Sequence, residues 1–372
     1  MQYLSEYRDP EIIRALSRKI AATVTKPHTI MEICGGQTHN IMKYGIHRLL
    51  PEEVRLVHGP GCPVCVTPIS KIDEALALAQ EPGVTLCTFG DMMRVPGSQG
   101  DLQNCRAAGG RVRMVYSPAD ALQLALQHPD EEVVFFAVGF ETTAPSVAWT
   151  IQEAARKKVR NYSVLLAHVL VPPAMEAILQ DPQNQIRGFL AAGHVCTITG
   201  YQAYHPIAAR HRIPIVVTGF EPVDLLQGLL ICLEKLEAGE AGVVNQYARM
   251  VTGEGNPAAR SCLAATFTEG TMTWRGLGEL PASGYHLRPE LERFDARRLL
   301  TRPPAPPPPN PCPAGDILTG KLRPDRCPFF GKSCHPGHPL GAPMVSTEGA
   351  CAAWYRYQNP PSLNGSAHAI HP

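Results

Sequence analysis

The chemistry legible in this chain of 372 residues is that of its thiols. Cys34 stands in Cys34-Gly35-Gly36-Gln37-Thr38-His39, directly after the apolar run 29–33. Cys62 and Cys65 stand in Gly59-Pro60-Gly61-Cys62-Pro63-Val64-Cys65-Val66-Thr67, directly after the run 54–58. The segment from Thr38 through Leu50 reads as a helix. A thiol at a helix start lies among unpaired N–H groups and positive dipole, so Cys34 is expected to have a lowered pKa. Gly35 and Gly36 would let backbone approach whatever it binds. His39, one turn on, is a candidate second ligand or proton donor, with a purely structural role as the alternative. The Cys62-x-x-Cys65 spacing brings two sulfurs within bonding range. It suits a reversible dithiol, or two thiols beside a metal held by Cys34; structural zinc usually takes a second such pair, and the chain has none. Asp91 and Arg94, after the third apolar run, are expected to line the same crevice, where Arg94 could neutralise an anion.

A second thiol group follows the polyproline spacer at 303–309. Cys312, Cys327, Cys334 and Cys351 lie 15, 7 and 17 residues apart in a segment with little regular pattern. Four thiols there suggest a metal holding the segment together, and both zinc and a [4Fe–4S] cluster accept four thiolates. The wide gaps, and the prolines directly after Cys312 and Cys327, favour the cluster; zinc and unligated thiols remain the alternatives. Of the single cysteines, Cys87 and Cys232 read as small core residues. Cys196, with His194, is a candidate at a strand end.

The elements that must position these groups are short apolar runs alternating with helical patterns from His28 to Glu221, the mark of parallel βα units. Two sets of four strands are expected: 29–33, 54–58, 84–89 and 111–116, then 132–138, 162–167, 188–192 and 214–218. Division at Ser117-Pro118-Ala119-Asp120 gives two similar α/β domains, 23–117 and 118–222, each with a four-stranded, mainly parallel sheet. In such sheets ligands bind outside the carboxyl ends of the strands, which is where both thiol loops fall. An Asp9-capped helix opens the chain. Residues 1–22 and 223–358 form a third, helical and loop-rich domain, with helices at 223–238 and 243–251, and 359–372 reads as a disordered tail.

Composition fits this picture. The chain is 44% apolar and 18% charged, which is globular, and its formal net charge of +1 includes no basic block that would point to nucleic acid. No run reaches the roughly 18 apolar residues of a membrane span, and the N-terminus lacks a secretory pattern, so a soluble cytoplasmic protein is expected. In that reducing compartment twelve cysteines are ligands, redox groups or core residues more than structural disulfides.

Cys34-Gly-Gly-Gln-Thr-His39, Gly59-Pro-Gly-Cys62-Pro-Val-Cys65-Val-Thr67, Gly139-Phe-Glu-Thr-Thr143, Trp274-Arg-Gly-Leu-Gly278 and Ser346-Thr-Glu-Gly-Ala-Cys351, in this order, resemble the HypD family of [NiFe]-hydrogenase maturation proteins. The resemblance runs from about residue 6 to 358. It implies two similar α/β domains and a third carrying a [4Fe–4S] cluster on Cys312, Cys327, Cys334 and Cys351. It implies a redox-active assembly scaffold, not a conventional turnover enzyme, that builds the Fe(CN)2CO group together with HypC and with HypE as cyanide donor, as a monomer entering heterocomplexes. Cys34 matches the thiol that holds Fe(II) while it carries CN and CO ligands, and Cys62 and Cys65 match the redox or iron-proximal pair. The sequence departs from the family at Pro343, where many members have a further cysteine, and in its proline-rich spacer. The rivals are a thiol/disulfide oxidoreductase with an iron–sulfur cluster acting on a small molecule, and an interaction scaffold with inert thiols.

Overall fold

The computed structural model describes residues 5–358; the expected disordered tail, 359–372, lies outside them. Nine strands form two parallel sheets. They are β1 (His28–Glu32), β2 (Val54–His58), β3 (Val84–Thr88), β4 (Val112–Met114), β5 (Glu132–Gly139), β6 (Tyr162–His168), β7 (Gly188–Ala192), β8 (Pro214–Thr218) and β9 (Gly242–Asn245). The central strands are sealed on both faces: Val133 through Val138 are all buried, as expected of parallel strands covered by helices on either side.

The strands lie close to where the sequence puts them, but they are shared out differently. One sheet has the order β2-β1-β7-β8-β9 and the other β4-β3-β5-β6. The chain therefore leaves the first sheet after β2, builds the whole second sheet, and returns. The sheets do not divide at residue 117, and one has five strands where four are expected. The fifth, β9, replaces part of the expected helix 243–251, because the β-branched pair Val243-Val244 pairs with Ile215 and Val216. The described part of the N-terminal segment and the helix after β8 are also not set apart. The helix Pro10–Thr23, capped by Asp9, and the helix Pro222–Ala238 share a cluster of buried side chains with β1 and β8.

Both strand orders contain a switch point. In the first sheet β1 leads outward to β2 while its other neighbour, β7, leads to β8, so the loops after β1 and β7 part and open a crevice. In the second sheet the same holds between β3 and β5. Cys34 follows β1, and Gly139-Phe140-Glu141-Thr142-Thr143 follows β5.

Beyond β9 the chain forms an antiparallel hairpin, β10 (Phe267–Trp274) and β11 (Gly278–Leu287), where the sequence suggests only loops. Its turn is the Trp274–Gly278 motif, in which Gly276 and Gly278 take positive φ. The remainder is loop-rich, with short helices at Ala314–Leu318 and Ala350–Tyr357. Among the described residues no helix is long and apolar enough to cross a membrane.

Candidate functional site

The two thiol loops leave adjacent strands side by side. Glu32 and His58 are register partners at the ends of β1 and β2. Beyond them the loops are stitched together by Gly59 N–H to the Glu32 carbonyl and Gly35 N–H to the Gly61 carbonyl, each 2.8 Å. Gly61 is forced by this approach, since a Cβ there would stand 2.3 Å from the Cys34 nitrogen. Cys34 caps the helix Gly35–Lys43 in extended conformation, and Cys62 caps the single turn Pro63–Val66. The Cys62 and Cys65 sulfurs are joined as a disulfide with Cα atoms 5.2 Å apart, and both side chains are buried.

One expectation about this loop is corrected. Cys34 sits at the helix start as expected, and the Gly36 and Gln37 N–H groups do pull its pKa down, yet burial outweighs them. Burial, reinforced by the Glu348 carboxylate and then Glu32, pushes the Cys34 thiol up to about 12. In this state the thiol keeps its proton. His39 has both ring nitrogens engaged: Nδ1 lies 3.1 Å from the Thr347 carbonyl and Nε2 3.3 Å from the Tyr357 hydroxyl. The imidazole thus ties its helix to the C-terminal segment.

The carboxylate that organises the site is Glu32, which sequence reading passes over. It is fully buried and accepts from the Cys34 N–H at 3.0 Å, from the Thr38 hydroxyl, and pairs with His58 Nδ1 at 2.7 Å. The available signal was a Glu and a His closing two strands that are otherwise mostly apolar. Gln37 reaches across the crevice to the Ala191 carbonyl and the Thr218 hydroxyl, at the ends of β7 and β8. His194 is exposed and stacks on Phe220 with ring centroids 3.8 Å apart, while Cys196 is sealed in the core. Cys87 and Cys232 are fully buried, as small core residues are.

At the other switch point Glu141 is buried, its Oε1 accepting the Val171 N–H at 2.9 Å and its Oε2 without a partner. Burial pushes its pKa up to about 7. Thr143 meets His168 Nε2 at 3.0 Å, and burial pushes His168 down to about 4.

Cys312, Cys327, Cys334 and Cys351 line one small cavity with Ile317, Phe329, Phe330, Leu340 and Met344. Pro343 lines it too, where the resemblance implies a further cysteine. Burial, then Cys334 and Cys327, pushes Cys312 up to about 11; burial and the other three thiols push Cys351 up as well. Leu340 N–H lies 3.4 Å from Cys334 Sγ. Among the described residues no three His, Cys, Asp or Glu side chains converge as ligands of a single ion. Four thiols lining one cavity are a donor set of the kind an iron–sulfur cubane takes.

The segment 345–351 joins the two thiol groups. Glu348 packs on Gly35 so closely that a Cβ there would stand 2.7 Å from the Glu348 Cβ. A Cβ on Gly349 would stand 3.1 Å from Cys65 Sγ, and two residues later Cys351 enters the four-thiol cavity. Arg94, expected at this crevice, donates from Nη2 to the Val345 carbonyl at 3.3 Å, and Asp91 lies near enough to raise the pKa of Glu348.

Two switch-point sheets, a buried disulfide, a lone thiol and a four-thiol cavity define a cysteine-centred α/β protein. Comparison with known proteins sharpens that class. The model of the HypD family, described as "Hydrogenase formation hypA family", matches residues 11–358. The hydrogenase maturation factors HypD of Escherichia coli (strain K12) and of Rhodobacter capsulatus are each 45% identical, over 96% of this chain and 98% of theirs. That of Azotobacter vinelandii is 48% identical over 96% of this chain and 97% of its own. The chain belongs to the HypD family, and its role is in hydrogenase maturation.

Proposed function

We propose that this protein is the scaffold on which the Fe(CN)2CO group of a [NiFe]-hydrogenase is assembled, with HypC and HypE as its partners and a [4Fe–4S] cluster on Cys312, Cys327, Cys334 and Cys351. The observation that carries this is the segment 345–351, which places one stretch of backbone against Cys34, Cys65 and the four-thiol cavity at once. The cluster, when bound, supplies one-electron chemistry.

Cys34 is the protein's ligand to the iron being assembled, completed by a cysteine of HypC. Soft thiolate suits Fe(II) and leaves positions open for diatomic ligands. A thiol held protonated by burial gives up its proton when the cation arrives, so the pocket takes charge on with its cargo. Glu32 fixes the Cys34 backbone through its N–H, and Gln37 fixes the helix behind it.

Cys62 and Cys65 supply the electrons for delivery of cyanide. In their reduced form the two thiolates close to the disulfide and release two electrons. These cleave the S–C bond of the cyano group carried on HypE, leaving a HypE thiolate and cyanide for the iron. The described disulfide is the oxidised end of that couple. The chain acts as a monomer within heterocomplexes, in the cytoplasm.

The test is metal analysis of anaerobically purified protein, alone and with HypC. The wild type should carry about four iron and four acid-labile sulfide per chain, with additional iron in the HypC complex. Cys34→Ala should lose the additional iron and keep the brown chromophore; survival of that iron removes Cys34 as its ligand. Cys62→Ser or Cys65→Ser should block maturation while leaving the fold and chromophore intact, and full hydrogenase activity in such a variant removes the redox role. A thiol oxidoreductase acting on a small molecule would instead turn over without HypC.

A further inference from the structure

Arg275, in the turn of the β10–β11 hairpin, lies between the dithiol loop and the four-thiol cavity. Its backbone N–H donates to the Val66 carbonyl at 2.7 Å and its Nε to the Thr67 carbonyl at 2.8 Å, both at the end of the short Cys62-capped turn. On the other side the hairpin turn abuts the cavity segment: a Cβ on Gly276 would stand 2.4 Å from the Gly315 Cα, three residues after Cys312. The Nε–H fixes the guanidinium on the dithiol-loop side, and the Cys312 thiol lies near enough to bear on its charge. Its Nη2 is buried and has no hydrogen-bond partner.

Charge makes that arrangement unusual. An arginine in a protein interior is ordinarily neutralised by a carboxylate. Among the described residues Arg275 has no ion pair. The groups that bear on its charge are the Cys312 thiol and Asp73, and both Asp73 oxygens are bonded to Ser98, at 2.7 Å and 2.6 Å. Burial pulls the guanidinium down to about 10, which still leaves it charged at neutral pH. A half-buried guanidinium whose Nη2 is sealed and unpaired is stabilised by a negative group beside it. Four thiolates on an iron–sulfur cubane carry net negative charge, and that charge grows on reduction.

We infer that Arg275 is a positioning and charge-compensating residue: its cation favours the reduced form of a cluster held by Cys312, Cys327, Cys334 and Cys351, while its Nε–H anchors the dithiol loop against that cluster. This rests on the cluster reading above. The positive charge raises the cluster's midpoint potential, because the reduced state gains more from it than the oxidised state. The Cys62–Cys65 loop and the cluster are thereby kept in fixed register through one side chain.

The test is a redox titration of the cluster, followed by electron paramagnetic resonance, in anaerobically purified full-length protein. Arg275→Gln should lower the midpoint, with a tenfold or greater drop in the reduced-to-oxidised ratio at fixed ambient potential, equivalent to about 59 mV or more for one electron. Its iron and sulfide content should match the wild type. Arg275→Lys keeps a cation and should titrate close to wild type. An Arg275→Gln midpoint equal to wild type at full iron loading overturns the inference, as does an Arg275→Lys shift as large as that of Gln. Should Arg275→Gln fail to fold, Arg275→His decides the matter: its midpoint should fall further than that of wild type as pH rises through the imidazole range, and a pH dependence equal to wild type's overturns the inference. Wild-type protein without iron and sulfide refutes the cluster reading itself, an outcome that metal analysis separates from failure of the Arg275 role.

Discussion

Glu141 offers a quantitative test of the buried chemistry at the second switch point. Its carboxyl is sealed from water, one oxygen takes a single backbone N–H, and the other has no partner, so burial and, more weakly, Glu269 raise its pKa from 4.5 to about 7. A carboxyl held above its unfolded value binds its proton more tightly in the folded state. Stability therefore carries no penalty from this group below pH 4.5 and declines as pH rises, because the unfolded chain ionises first. The loss is complete above about pH 7, where both states are charged. Each pH unit of that interval is worth about 1.4 kcal/mol, which makes the full penalty about 3 kcal/mol. Glu141→Gln keeps an acceptor for the Val171 N–H and removes the titration. Its stability relative to wild type should climb by about 3 kcal/mol between pH 4.5 and pH 7.5 and then level off. Equilibrium unfolding in urea at a series of pH values measures this directly. A constant offset between the variants would reflect only how the amide packs; the slope is the diagnostic. Parallel curves across the interval would refute the reasoning and mean that the free oxygen is solvated or paired in solution.

The remaining expectations concern the Cys34 loop. His58→Ala takes away the partner of the buried Glu32 carboxylate and should cost about 3–5 kcal/mol in denaturant unfolding. Adding Glu32→Gln should recover part of that loss, and strict additivity would argue against the pair. Gly61→Ala forces a methyl into the Cys34 backbone and should cost about 1–3 kcal/mol, with faster hydrogen exchange at the Gly35 amide, whose acceptor is the Gly61 carbonyl. Unchanged exchange there would mean that the loops part without losing their contact. Cys351→Ser should strip iron and sulfide from anaerobically purified protein while leaving the dithiol titratable; full iron retention would remove Cys351 from the ligand set.

Element boundaries were legible because buried parallel strands announce themselves as short, mostly apolar runs: the ranges 54–58, 188–192 and 214–218 are those of the observed strands. Sheet membership was not. A strand sealed on both faces has the same pattern whichever sheet receives it, and the crossovers from β2 to β3 and from β6 to β7 resemble any other βα connection. The switch points were the missing information, since strand order lives in contacts far apart in sequence. At β9 the run Gly242-Val243-Val244-Asn245 was short enough to read as the first turn of a helix, and only pairing with β8 makes it a strand.

The site divided along a different line. Spacing and local turn chemistry placed Cys34, Cys62 and Cys65 at strand ends, and composition gathered the last four cysteines, because those facts are carried by neighbours in the chain. What decides the state of Cys34 is contributed from more than 300 residues away, where Glu348 presses on Gly35 and adds its charge to a thiol already raised by burial. The dipole argument for a reactive thiolate used only local structure and so had the wrong sign. A helix N-terminus lowers a thiol's pKa where water can reach it. Here the C-terminal segment, tied down through His39 to Thr347 and Arg94 to Val345, brings the Glu348 carboxylate to the loop, and burial together with that charge outweighs the dipole. The same segment brings Gly349 to Cys65 and Cys351 to the four-thiol cavity. The state of Cys34 and the proximity of the two thiol groups are thus one structural fact, and moving the segment 345–351 would change both together.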